Sequence, residues 1–183
     1  MSKLRNWLAG IGLGVGAVTG GVYIAEVEGY SVTPYYDVAQ KLTVCRGHTG
    51  SDIIPGKVYT QDECDALFAS DVKAADDALL RLTAPINLSP GEHGAYLSFI
   101  FNLGQGNFAS STMRKKLLAN DRLGACLQFT QACGKYGCNG WVYAHGVQWP
   151  GLVKRRAEEQ AMCLSDLPQS AQWSHSTGGQ HGV

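Results

Sequence analysis

The N-terminal end of the chain carries the feature that most constrains its fold, a run of twenty residues, Asn6–Ala25, without a single charge. Lys3 and Arg5 precede this N-terminal run, and Glu26 follows it directly. Twenty helical residues span about 30 Å, which is the thickness of the hydrocarbon core of a bilayer. Basic residues before the span and acidic residues after it predict an N-terminus on the cytoplasmic side of a membrane.

The N-terminal run is only weakly apolar, because six of its residues are glycine: Gly10, Gly12, Gly14, Gly16, Gly20 and Gly21. Glycine contributes almost no apolar area, so the hold of this run on lipid should be marginal. Four interpretations are open: a cleaved signal peptide, a permanent anchor, a buried helix of a soluble fold, and an anchor that later leaves the membrane. Tyr23-Ile24-Ala25 is a poor cleavage site. The composition alone does not choose among these four interpretations of residues 1–27.

The composition of the whole chain excludes several classes of protein. The 183 residues include 15 basic and 15 acidic side chains, so the formal net charge is zero. No run of like charges stands out, and nucleic-acid binding through counterion release is therefore not expected. The length predicts one domain with a short appendage. We expect a monomer that uses no cofactor and no metal ion.

All six cysteines follow the N-terminal run: Cys45, Cys64, Cys126, Cys133, Cys138 and Cys163. An even count beyond an export-like segment indicates an oxidising compartment and up to three disulfides. The spacing alone does not determine the connectivity. Our expected pairs are Cys45–Cys64, Cys126–Cys163 and Cys133–Cys138. A zinc site formed by Cys133, Cys138 and His145 is the alternative, but the spacing fits no compact zinc pattern.

Turn and capping signals divide the rest of the chain into an early hairpin and later helices. Tyr35–Asp37 and Leu42–Arg46 flank a four-residue turn, which is typical of a β-hairpin. Two capping boxes predict helix starts, Thr60 with Glu63 and Ser89 with Glu92. Further helices are predicted over residues 112–118, 123–132 and 152–163. Strands that come early and helices that come late favour an α+β fold over a parallel sheet.

Three polar residues near the hairpin could carry hydrolytic chemistry. Glu28 would lie at the C-terminal end of the N-terminal helix if that helix folds in water, and the negative end of the helix dipole disfavours a charged carboxylate there, which suits a general acid. Asp37 and Thr43 could together hold and polarise a water. One acid and one base that flank a cleft are the arrangement for glycoside hydrolysis. Such spacings also arise by chance, with Glu28 as an interfacial charge, Asp37 as a turn former and Thr43 as an ordinary strand residue.

The order of motifs along the chain strengthens the hydrolytic interpretation. Glu28-(x8)-Asp37-(x5)-Thr43, followed closely by the motif Cys45-Arg46-Gly47-His48-Thr49-Gly50, resembles the phage-type lysozymes of glycoside hydrolase family 24. The resemblance continues in the same order through later motifs and covers about residues 28–163. One departure is the arginine of that motif, because the family often has a short apolar or aromatic residue before Gly-His.

The resemblance implies a muramidase that cleaves the β-1,4 bond between N-acetylmuramic acid and N-acetylglucosamine in peptidoglycan. It implies Glu28 as the general acid, Asp37 as the base or electrostatic partner and Thr43 as the residue that helps to place the attacking water. Inversion is the expected stereochemical outcome. The remaining residues that it assigns are Phe101 and Ser111 in the substrate cleft, His48 and Asp71 as a structural ion pair, and Arg155 or Arg156 as the partner of Glu28.

The resemblance also implies a lysozyme-like α+β fold with a hairpin-containing lobe over residues 28–85, a mainly helical lobe over residues 86–164 and a cleft between them. Residues 165–183 would form a polar tail. Some phage lysozymes carry a signal-anchor-release segment, and residues 6–25 resemble one. The enzyme would then be tethered to the host inner membrane, inactive, until it is released into the periplasm. Two non-enzymatic alternatives stay open, a wall-binding module of lysozyme shape and a membrane-anchored interaction protein.

Overall fold

The structure, a computed structural model, describes residues 2–37, 40–133, 137, 140–144 and 146–167. Cys138, His145 and residues 168–183 lie outside the described residues, and with them the expected Cys133–Cys138 pair, the alternative zinc site and most of the predicted tail. The elements in chain order are α1 (Ser2–Gly10), α2 (Val15–Val27), β1 (Ser31–Tyr36), β2 (Leu42–Cys45), α3 (Gln61–Thr83), α4 (Pro90–Leu103), α5 (Gln105–Ser110), α6 (Thr112–Leu118), α7 (Arg122–Gln131), β3 (Tyr143–Ala144), β4 (Val147–Gln148) and α8 (Pro150–Leu164).

The predicted hairpin is present and forms a small lobe of its own. β1 and β2 pair antiparallel, with Tyr36 opposite Leu42 and Ser31 opposite Cys45. A small apolar cluster lies beneath them, formed by Val44, Cys45, Ile53, Tyr59 and Cys64. A disulfide between Cys45 and Cys64 joins the hairpin to α3, which confirms the first expected pair.

The two predicted capping boxes begin helices α3 and α4. The hydroxyl of Thr60 accepts the N–H of Glu63, and the Glu63 carboxylate accepts the N–H of Thr60 in return. Ser89 and Glu92 do the same at the start of α4. Each capping hydroxyl is worth about 1 kcal/mol. The local sequence therefore determines where α3 and α4 begin.

The main core surrounds α4, which packs against α2, α3 and α8. Its aromatic centre is formed by Tyr96, Phe99, Phe108, Phe129 and Trp141, whose ring centroids lie 5.3–6.2 Å apart in the contacting pairs. A disulfide between Cys126 and Cys163 joins α7 to α8, which confirms the second expected pair. A hairpin lobe beside a mainly helical lobe confirms the predicted lysozyme-like α+β architecture.

The N-terminal residues form two helices at an angle rather than one continuous helix. Between α1 and α2 the chain turns at Gly12, whose φ of +83° is accessible to glycine without Cβ strain. Leu8 is completely buried, and a Cβ added at Gly21 would lie 2.8 Å from its Cδ1 atom. In a straight helix these two residues would be about 20 Å apart. Within the described ranges we find no helix of the length and apolarity needed to cross a membrane.

The glycines of α2 allow its backbone to approach α4 closely. A Cβ added at Gly20 would lie 2.8 Å from the Cα of Gly94, and one added at Gly16 would lie 2.6 Å from the Cβ of His93. Ile24, on the same helix, is completely buried. The N-terminal run is therefore part of the main core. Its glycines allow close packing on α4 and also make the run less apolar.

Candidate active site

Glu28 lies at the C-terminal end of α2, as the sequence predicts for a folded helix. Its backbone N–H donates to the carbonyl of Ile24 at 2.9 Å, and its extended backbone ends the helix. Nη1 of Arg155 donates to Oε1 of Glu28 at 2.7 Å, and the Glu28 side chain is 23% exposed. The carboxylate is therefore oriented by an arginine and remains accessible to a substrate.

Arg155 is itself held by buried polar groups. Its Nε lies 3.3 Å from Oε1 of Glu159, and its Nη2 lies 3.2 Å from the hydroxyl of Ser98. Arg156 is completely buried and donates instead to Glu159 at 2.8 Å and to Asn102 at 3.2 Å. Of the two arginines proposed as partners of Glu28, Arg155 makes the contact, and Arg156 belongs to the core of the helical lobe.

Asp37 and Thr43 are both hydrogen-bonded to Lys41 at one end of the hairpin, and Thr43 is buried. The carbonyl of Lys41 accepts both the N–H of Asp37 at 3.0 Å and the hydroxyl of Thr43 at 3.1 Å. The Asp37 carboxylate accepts the N–H of Lys41 at 2.9 Å. These bonds hold the backbone that carries the Asp37 carboxylate and link both residues to Lys41.

The loop after β2 brings the hairpin lobe next to Glu28. Gly47 has a φ of +84°, and a Cβ added there would lie 3.8 Å from Oε2 of Glu28. The loop is closed by two backbone hydrogen bonds between Val44 and His48, each 3.0 Å long. A left-handed glycine in a closed turn therefore places the backbone of this loop against the carboxylate.

A groove of about 310 Å³ opens beside this loop, between the hairpin lobe and the helices. Its lining residues are Gly47, Thr49, Asp71, Ala74, Ala75, Ala78, Ile100, Phe101 and Gln105. Phe101, which is predicted to line the substrate cleft, lines this groove, and its ring centroid lies 5.7 Å from that of Phe68. Gly47 connects the groove to Glu28.

Ser111 does not join Phe101 in the groove. It is 5% exposed, and its hydroxyl donates to the carbonyl of Phe108 at 2.7 Å and accepts the N–H of Arg114 at 3.0 Å. The bond from Arg114 is the N-terminal cap of α6, and the bond to Phe108 ties Ser111 to the end of α5. This geometry favours a structural role for Ser111 over the predicted contact with substrate.

His48 lies between two carboxylates. Its Nδ1 is 2.9 Å from Oδ2 of Asp71, the predicted pair, and its Nε2 is 3.1 Å from Oδ1 of Asp52, which sequence reasoning missed. Burial lowers the pKa of His48, but the hydrogen bonds to Asp71 and Asp52 outweigh burial and raise it above its ordinary value. Burial raises the pKa of Asp71, whereas the bond to His48 lowers the pKa of Asp52. Both ring nitrogens have partners, which suits a structural ion pair.

Arg46 is a second residue near the site whose contacts the sequence did not predict. Its Nη1 donates to the carbonyl of Ala25 at 2.9 Å, in the last turn of α2. The available signal was its departure from the family pattern before Gly-His. No local pattern reveals a partner twenty-one residues away.

Comparison with known proteins places the chain among phage enzymes. A sequence model of the family described as Phage lysozyme matches residues 25–159. The SAR-endolysin of Bacteriophage PS119 is 41% identical over 141 residues, which cover 75% of this chain and 77% of that protein. The SAR-endolysin of Enterobacteria phage P21 is 39% identical over 138 residues, which cover 75% of this chain and 78% of that protein.

Solved structures share the fold. The active form of the P1 phage endolysin Lyz superimposes with a TM-score of 0.74 at 19% identity, over 91% of this chain and 94% of that chain. A mutant of P22 lysozyme superimposes with a TM-score of 0.63 at 25% identity, over 79% of this chain and 94% of that chain.

Proposed function

The chain belongs to the phage lysozyme family, and on that premise we propose how its residues divide the work of catalysis. It is a phage endolysin, a glycoside hydrolase of the lysozyme type that acts on peptidoglycan. The bond cleaved is the β-1,4 linkage between N-acetylmuramic acid and N-acetylglucosamine. What remains to be assigned is the role of each side chain and the control of the enzyme before lysis.

Glu28 is the general acid of the proposed mechanism, and Asp37 is its base. Glu28 donates its proton to the glycosidic oxygen as the bond to the anomeric carbon breaks. Asp37 takes a proton from the water that attacks that carbon from the opposite face, and Thr43 helps to place this water. The observation that carries the proposal is the Glu28 carboxylate, held by Arg155 on one side and facing Gly47 at the groove on the other.

Replacing each carboxylate by its amide tests these roles. Glu28→Gln keeps the shape of the side chain but removes the proton donor, and we expect turnover to fall by about 10³-fold. Glu26→Gln is the matched control, because Glu26 is exposed two residues earlier on the same helix. Asp37→Asn should also be strongly impaired, with the exposed Asp77→Asn as its control. The measurement is the release of reducing sugar from purified peptidoglycan.

Three outcomes of that assay discriminate the interpretations. Full turnover by Glu28→Gln or Asp37→Asn contradicts the site assignment. No sugar released by the unaltered chain favours the wall-binding module or the membrane-anchored interaction protein. Loss of turnover in both amide variants, with normal turnover in both controls, supports the assignment.

Control by membrane topology is the second part of the proposal. Residues 6–25 first cross the host inner membrane with the N-terminus in the cytoplasm, and later leave it so that α1 and α2 dock in the periplasm. The uncharged, glycine-rich run and the SAR-endolysin relatives support this order of events. A helix that lies in lipid cannot also hold Glu28 against Arg155, so the tethered enzyme is silent.

Fractionation of cells tests the release step. We expect the protein in the membrane fraction before the membrane potential is collapsed, and in the periplasmic fraction afterwards. Protein that stays in the membrane fraction throughout lysis would contradict release, whereas protein that is periplasmic from the start would indicate a cleaved signal peptide. The N-terminal sequence of the periplasmic form distinguishes release from cleavage.

A further inference from the structure

Arg46 joins the two pieces of backbone that hold Glu28, and we propose that it is a positioning residue for the reaction. Its Nη1 donates to the carbonyl of Ala25, three residues before Glu28. The next residue, Gly47, packs against the Glu28 carboxylate. A Cβ added to Gly47 would lie 3.8 Å from Oε2 of Glu28. Arg46 therefore ties the end of α2 to the loop that packs against the acid. This inference rests on the proposed role of Glu28.

The guanidinium of Arg46 has little freedom to move. Its central carbon lies 5.0 Å from the ring centroid of Tyr30 and 5.9 Å from that of Phe68. The preceding residue, Cys45, is bonded to Cys64 in α3. A planar cation placed against two rings donates in a fixed direction, which a lysine ammonium on a flexible stem does less well.

Arg46 lies on a different side of the loop from the substrate groove. It borders a separate cavity of about 300 Å³ whose other lining residues are Lys3, Leu4, Val22, Ala25, Glu26, Gln61 and Asp65. The groove lining includes Gly47 and Thr49 from the same loop but not Arg46. The geometry therefore supports an effect of Arg46 through Glu28 rather than through a contact with sugar.

The contact between Arg46 and Ala25 depends on the position of α2. Because α2 supplies both Ala25 and Glu28, the hydrogen bond from Arg46 forms only when this helix is docked. Docking of α2 therefore forms the Arg46–Ala25 hydrogen bond and positions Glu28 at the same time. Loss of the tie should leave Glu28 misplaced, and an error of about 1 Å at a reacting group can cost about 100-fold in rate.

The test uses full-length, detergent-free protein and soluble peptidoglycan fragments, with kcat, KM and Tm measured for each variant. For Arg46→Gln we expect kcat to fall by about 10- to 100-fold while KM changes by less than about twofold. The kcat of Arg46→Lys should lie between that of Arg46→Gln and that of the unaltered chain. Arg114→Gln is the matched control, because Nε of Arg114 donates to the carbonyl of Leu82 at 2.8 Å, also in the last turn of a helix, without contact to Glu28. It should lower Tm but leave kcat unchanged.

Each result decides the inference. A raised KM with a retained kcat would show that Arg46 contacts substrate, and a wild-type kcat in Arg46→Gln would exclude positioning; either overturns it. If Arg46→Gln does not fold, Arg46→Lys decides, because a lowered kcat at unchanged KM supports positioning and a wild-type kcat overturns it. If Glu28→Gln keeps full turnover, the proposed function fails first. If Glu28→Gln is inactive while Arg46→Gln is normal, only this inference fails.

Discussion

Two regions of the molecule are held in different ways. The N-terminal pair, α1 and α2, contains no cysteine and docks through buried apolar side chains, close glycine contacts and a few polar bonds, such as Lys3 with Asp62 and Tyr23 with Glu158. The frame, residues 31–164, contains the Cys45–Cys64 and Cys126–Cys163 disulfides and the aromatic centre of the core. No disulfide can tie the part that is proposed to move to the part that receives it, because its residues include no cysteine. The disulfides of the frame can therefore form before the N-terminal pair docks.

Burial of apolar side chains does little to favour the docked state of the N-terminal pair over its membrane-inserted state. Leu8 and Ile24 of the N-terminal pair are completely buried, and burying such a side chain is worth about 1.5–3 kcal/mol. In lipid the same side chains are also shielded from water, so their burial distinguishes the docked state poorly from the inserted state. Polar contacts that form only after docking, above all the ion pair of Glu28 with Arg155, distinguish the docked state from the inserted state.

The largest effect is expected from the frame disulfide between Cys126 and Cys163, which closes a loop of 37 residues. Replacing both cysteines by serine should lower the free energy of unfolding by about 4 kcal/mol, because the unfolded chain gains the freedom that the loop denied it. Denaturant unfolding of both proteins measures this. An unchanged free energy of unfolding would show that the bond contributes nothing to the frame.

Adding one methyl group to α2, or just before it, tests how closely this helix packs on α4. Gly20→Ala adds a Cβ 2.8 Å from the Cα of Gly94, whereas Gly14→Ala adds one with no atom within 4 Å. Overpacking against backbone outweighs the gain in helix propensity, so Gly20→Ala should lose about 1–2 kcal/mol of stability. Gly14→Ala should lose none. Equal thermal stability of the two variants would mean that α2 does not pack closely on α4.

The smallest effect is expected from the titration of His48 in the frame. Because its pKa is raised in the folded protein, protonated His48 stabilises the fold below its ordinary pKa of about 6.5, and this contribution is lost as pH rises through the raised value. The difference in Tm between the unaltered chain and His48→Gln should therefore shrink as the pH rises above about 6.5. A difference that does not depend on pH would contradict the ion pairs with Asp71 and Asp52.

The sequence predicts the frame better than the N-terminal pair, because the signals of the frame are local. Capping boxes at Thr60 and Ser89 involve residues three apart, so both helix starts are found from the sequence alone. The bend at Gly12 depends instead on the contact of Leu8 with Gly21, and the composition of the run is the same whether it is straight or bent. The short α5, β3 and β4 were missed because they contain too few residues to show a period.

In the candidate site, too, the features that depend on local sequence are predicted and those that depend on distant contacts are not. Glu28 was placed correctly at a helix end because Gly29 follows it, but its partner could not be chosen between Arg155 and Arg156, since they are adjacent in sequence and 127 residues or more away. Ser111 was assigned to the cleft by family resemblance, although its position before α6 is typical of an N-cap. Motif transfer named the candidate residues, whereas the contacts of their side chains required the fold.

The central claim is that one polypeptide is silent in the membrane and active when α2 is docked, and Gly10→Leu combined with Gly14→Leu tests it most directly. Both positions face open space in the docked state, unlike Gly16, so the change makes the run more apolar without disturbing the fold. The measurement is peptidoglycan turnover per molecule, for the variant retained in membranes and for the same variant folded free of detergent. We expect no turnover from the retained protein and normal turnover from the free protein. Equal turnover from both would contradict the account.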